Sequence, residues 1–120
     1  MRGAFRFQDY LVHMRDAQAD AISFIGTMSR DEFLQDRRTQ QAVVMSLIII
    51  GEAASKIINA WPEIKDTHPD IPWGAMRGMR NRIAHGYFAV DYGMVWDTVR
   101  HALPSLEQQL NSLLVKIQKT

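Results

Sequence analysis

Eight consecutive residues, Arg80-Asn81-Arg82-Ile83-Ala84-His85-Gly86-Tyr87, gather an arginine, a carboxamide, a histidine and a phenol beside a glycine that can end a helix. A planar guanidinium grips phosphate through two parallel hydrogen bonds, which lysine cannot do, and imidazole exchanges protons near neutral pH. No carboxylate occurs between Asp70 and Asp91, whereas Arg77, Arg80 and Arg82 do. The whole chain balances 14 basic against 13 acidic residues, so the cationic character is local. An anionic ligand is its natural partner, and phosphate handling is the chemistry the spacing suggests. The plainer alternative is a surface arginine followed by a histidine capping a helix C-terminus, with Tyr87 packing its ring and wetting its hydroxyl.

Arg80 and His85 lie five apart, about 140° around a helix of 3.6 residues per turn, so they share a face only where the helix ends or bends. Gly86 reads as a left-handed stop at that point. The segment containing them starts at Pro72, suited to a first helical turn, and runs to about Ala84. Upstream, Leu11, Met14, Ala21, Ile22, Ile25 and Met28 recur with helical period across Gln8 to Met28. Ser29-Arg30-Asp31-Glu32 has the form of a capping box, opening a short helix that ends near Asp36. Arg38 to Ala60 is dense in apolar residues and predicts a central helix buried on more than one face. Trp61-Pro62 ends it, and the stretch to Ile71, with three prolines counting Pro72, reads as a connecting loop. Asp91 to Lys119 is helical again, with Pro104 placed to kink or divide it. Nothing alternates with period two, so the expected fold is an all-α antiparallel bundle of four to five helices forming one domain over residues 1–120.

With 120 residues, 47% of them hydrophobic, one core is expected rather than a disordered chain or two domains. The absence of cysteine removes disulfides, zinc fingers and thiol catalysis together and permits a cytoplasmic setting. The apolar run Val43 to Ile50 is too short to span a bilayer, and the basic stretch Met1 to Phe7 lacks the apolar region of a secretory signal, so a soluble protein is expected. His13, His68 and His101 show no ligand spacing; no metal or cofactor is expected, and His101 is read as the helical partner of Asp97. Trp61, Trp73 and Trp96 are read as packing residues.

The landmarks, taken in order, resemble the HEPN domains, whose pattern is arginine, a polar residue, three variable residues and histidine. They are closer still to the HepT toxin branch, in which one residue separates the histidine from a tyrosine. Arg80, Asn81, His85 and Tyr87 match position by position, and Ile50-Gly51-Glu52-Ala53-Ala54, His68-Pro69-Asp70-Ile71-Pro72-Trp73, and Asp91 with Val95-Trp96 look like further landmarks. The resemblance implies a metal-independent endoribonuclease toxin acting on RNA. Its ribose 2′-hydroxyl would attack the adjoining phosphate while His85 moves protons and Arg80 holds a non-bridging oxygen. It implies a homodimer, which supplies the second histidine an acid–base pair requires. It also implies that Tyr87 accepts an adenylyl group from a cognate nucleotidyltransferase antitoxin of the MntA type. By their own chemistry, Asn81 could orient substrate or a partner side chain, and Arg77 and Arg82, more simply solvated helix residues, could steer phosphate. Glu52, set in an apolar helix, pairs either with Lys56 one turn on or with Arg80 or the loop at His85. The alternative function is a non-catalytic HEPN binding module that docks a nucleotidyltransferase and helps present its substrate. This chain lacks the Gly-Ser and paired aspartates such a transferase uses.

Overall fold

Three helices begin at side chains that accept a backbone N–H, relieving the unpaired donors of a first helical turn. In the computed structural model, which describes residues 6–118, these are Ser29, Asp36 and Asp91. The Ser29 hydroxyl accepts from the Glu32 N–H at 3.1 Å while the Glu32 carboxylate accepts from the Ser29 N–H at 2.9 Å, completing the expected capping box. The Ser29 backbone N–H, and after it the Ser29 hydroxyl, hold the Glu32 carboxyl below its ordinary pKa. Asp36 accepts from Thr39 and Asp91 from Met94, each at 3.1 Å.

The helices are α1 (Phe7–Ile25), α2 (Arg30–Leu34), α3 (Arg37–Ala60), α4 (Ile64–Thr67), α5 (Trp73–His85), α6 (Tyr92–Asp97) and α7 (Leu103–Gln118). A 3-10 turn, Tyr87–Ala89, follows α5, and a π turn, Thr98–Ala102, joins α6 to α7. The fold is all-α, with no strand among the described residues. Central α3 packs against α1 on one side and α5 on the other, and α7 returns along α1. Leu11, Met14, Val43, Ile57, Leu110 and Trp73 lie at the centre of the resulting core.

Three features depart from the sequence-based reading. The first helix stops at Ile25, not Met28, because Gly26 takes φ 54° and ψ −123°, a backbone region open to glycine. The connecting loop contains the single turn α4. At Pro104 the helical path divides as expected: α7 opens at Leu103, and the Leu103 N–H reaches back five residues to the Thr98 carbonyl, a widened turn that absorbs the proline's missing donor. No ion pair joins Asp97 to His101 among the described residues, since the π turn alters the spacing between them. Residues 1–5 of the basic N-terminal stretch and Lys119 at the predicted end of the last helix lie outside the described residues.

The whole of α3, and not only Val43 to Ile50, has the length and apolarity of a membrane-crossing helix. Its packing accounts for this: 56% of the apolar window is buried inside the fold, where α1 and α5 flank it. The tryptophans pack as expected. Trp73 is buried and donates its Nε1–H to the His68 carbonyl at 3.1 Å. Trp61 meets Phe7 edge to face, and Trp96 leans on Phe33. The Arg100 guanidinium lies 4.8 Å from the Trp96 ring centre and also donates to the carbonyls of Gly26 and Met28, tying the end of α1 to the last helical path.

Candidate active site at the seam of α3 and α5

Helix α5 lies close to α3 because position 51 has no side chain. A Cβ there would collide with the Cβ of Arg80 and come within 2.7 Å of the Met76 carbonyl oxygen. This contact seats Arg80 on the seam, where its Nε lies 3.5 Å from the Glu52 Oε2. The Nε is buried without a hydrogen-bond partner, so Glu52 holds it by charge at a distance just beyond a well-formed bond. Of the two partners open to Glu52, the structure selects Arg80; no ion pair to Lys56 forms among the described residues. Neither Nη group of Arg80 makes a hydrogen bond among the described residues, and the guanidinium is anchored from one side only.

The other side chains of the motif spread around α5. The helix stays regular through His85, so Arg80 and His85 point about 140° apart, with Arg77, Asn81 and Ala84 on the arc between them. The expected left-handed stop is absent: Gly86 has φ −135° and ψ 38°, and its N–H donates to the Arg82 carbonyl at 3.1 Å. Its lack of a side chain matters for a different reason, since a Cβ would press to 3.2 Å from that carbonyl oxygen. Within one chain, then, Arg80 faces α3 while His85 stands exposed in the last turn, and no bond links them among the described residues. Arg82 turns away from Glu52 and lines two depressions of about 140 and 220 Å³ with Met79, on the side facing the last helical path. Arg77 and Asn81 are half-buried.

Beyond the helix, Tyr87 is 64% exposed and Phe88 90% exposed, their ring centres 4.2 Å apart. The sequence reading passed over Phe88; an aromatic beside Tyr87 in a carboxylate-free segment was the available signal. It also gave His13 no role, yet His13, Tyr10, Ile49 and Lys56 line a depression of about 260 Å³ with Glu52. Among the described residues, no three His, Asp or Glu side chains cluster in a way that could hold a metal ion.

The all-α bundle is consistent with a HEPN-like domain. The chain belongs to the HepT-like family, described as Ribonuclease HepT-like, which its residues 14–113 match. Among its relatives, a Thermococcus cleftensis protein named "Probable ribonuclease HepT" is 39% identical over 106 residues, covering 88% of this chain and 94% of that protein. A provisionally named RNase of Caldanaerobacter subterraneus subsp. tengcongensis is 35% identical, covering 89% of this chain and 93% of its own length. Another, from Methanocaldococcus jannaschii, is 32% identical, covering 91% and 88%. No solved structure gives a significant match.

Proposed function

We propose that this chain is an endoribonuclease toxin that cuts RNA without a metal ion, working as a homodimer in the cytoplasm. The observation that carries the reading is Arg80: seated by Gly51, held at Nε by Glu52, and without a hydrogen bond at either Nη group among the described residues, within a segment devoid of carboxylates. A phosphate oxygen can take the free edge of that fork as its charge grows in the transition state. The 2′-hydroxyl loses its proton and its oxygen bonds to phosphorus, the bond from phosphorus to the 5′-oxygen breaks, and a proton reaches the departing oxygen. One imidazole as base and one as acid serve both transfers. The wide angle between Arg80 and His85 in one chain supports a two-fold arrangement, in which the motif helices face each other and each copy completes the other's cleft. Asn81 and Arg77, on the arc between them, would orient the strand. Arg82, turned toward the opposite groove, acts on phosphate only at longer range.

Purified protein in excess chelator should cut single-stranded RNA as fast as in buffer alone, leaving 2′,3′-cyclic phosphate and 5′-hydroxyl ends. Activity lost in chelator and restored by a divalent ion would contradict the metal-free mechanism.

Tyr87 is the proposed point of control. Its exposure supports access by a cognate nucleotidyltransferase antitoxin of the MntA type, and an adenylyl group there would add a negative phosphodiester close to the cationic helix. Tyr87→Phe removes only the acceptor oxygen. After incubation with ATP and the partner, wild type should gain an adenylyl mass and stop cutting, while the variant does neither. Full modification of Tyr87→Phe, or neutralisation of wild type with no covalent change, would favour the binding-module alternative.

A further inference from the structure

Phe88 is the most exposed large apolar side chain among the described residues, at 90%. A ring left this open forgoes the gain that burial of its apolar surface would bring. The backbone that carries the ring is nevertheless held. The Ala89 N–H donates to the Gly86 carbonyl at 2.9 Å, closing the turn on the end of α5, and the following Val90 packs against the core. Tyr87 leans on the Phe88 ring with an interplanar angle of 39°, so the two form a short aromatic step.

The charge around this step tells what it suits. The helix that leads into it carries Arg77 on the arc between Arg80 and His85, and no carboxylate intervenes between Asp70 and Asp91. An aromatic face beside a cationic track is the combination that holds single-stranded nucleic acid: arginines follow the phosphates while a base stacks on the ring. Paired bases in a duplex have both faces occupied by their neighbours. Phe88 follows His85 by three residues, at most about 11 Å of backbone, so the stacked base belongs to the cut site or a nucleotide next to it.

We infer that Phe88 is a nucleobase-stacking platform that selects single-stranded RNA and sets it on the Arg80 and His85 site. This rests on the ribonuclease reading and adds to it the residue that recognises the strand. The test measures affinity of a fluorescein-labelled, mixed-sequence single-stranded RNA in a His85→Ala background, where the probe stays intact. Adding Phe88→Ala or Phe88→Leu should weaken binding about 5- to 150-fold, the range for one lost base stack, while Phe88→Trp should restore most of the affinity. Duplex RNA should bind all four proteins alike, and sedimentation should not change. Leucine binding as tightly as phenylalanine would show apolar bulk rather than stacking. A smaller species for Phe88→Ala would place the ring in a contact between copies, and either result overturns the inference. If protein with Phe88→Ala alone binds and cuts RNA as wild type does, the platform fails and the ribonuclease reading stands. A wild-type chain that neither binds nor cuts RNA removes both.

Discussion

Arg80→Ala and His85→Ala should each lower RNA cleavage by at least about 100-fold, the smaller end of what a lost transition-state donor or proton-transfer group costs. Thermal unfolding moves little in either variant. His85 is exposed, and the carboxylate that Arg80 leaves behind, Glu52, is itself half open to water, so no charge is stranded in the core. Arg80→Lys separates charge from geometry: it keeps the cation and loses the fork, so it should fall between wild type and alanine. If the cleft is shared between copies, heterodimers of one wild-type and one His85→Ala chain have less than half the wild-type rate per dimer. Cleavage assays on purified, mixed subunits check all three outcomes. Half or more of the rate in the heterodimer would mean independent sites.

Gly51→Ala should damage the protein more broadly than either of these. Alanine improves helix propensity by up to about 1 kcal/mol over glycine, which at an open position would stabilise α3. Here the added carbon strikes the Cβ of Arg80 and crowds a backbone carbonyl of α5, neither of which is the movable tip of a side chain. The clash therefore wins, at about 3 kcal/mol, and the midpoint of thermal unfolding drops by roughly 10–15 °C. Activity falls further than stability explains, because α5 moves off α3 and carries Arg80 away from Glu52. Calorimetry and cleavage measured well below the new midpoint check this; a variant as stable as wild type would contradict the close contact.

Features set by neighbours in sequence were legible beforehand. The Ser29 to Glu32 box needs only a four-residue span, and the apolar period of α3 needs only itself. The end of α1 was missed because its apolar period continues through Met28, hiding the stop at Gly26. At Gly86 the helix stop was legible but its backbone geometry was not, since crowding by the Arg82 carbonyl depends on how the turn closes. Glu52 could not be assigned from spacing: Lys56 is one turn away in the chain, whereas Arg80 comes near only once Gly51 lets two helices meet. The exposure of Phe88 likewise depends on where the turn after α5 points.

The nucleophile in this account belongs to the RNA, and one measurement addresses that directly. An oligonucleotide carrying a single 2′-deoxy substitution at a mapped cut site is compared with its all-ribose twin, using purified wild-type protein. The twin should be cleaved to a 2′,3′-cyclic phosphate, with no cleavage at the substituted position and equal binding of the two strands. Equal cutting of both would mean that water attacks the phosphate, and would contradict the mechanism assigned to Arg80 and His85.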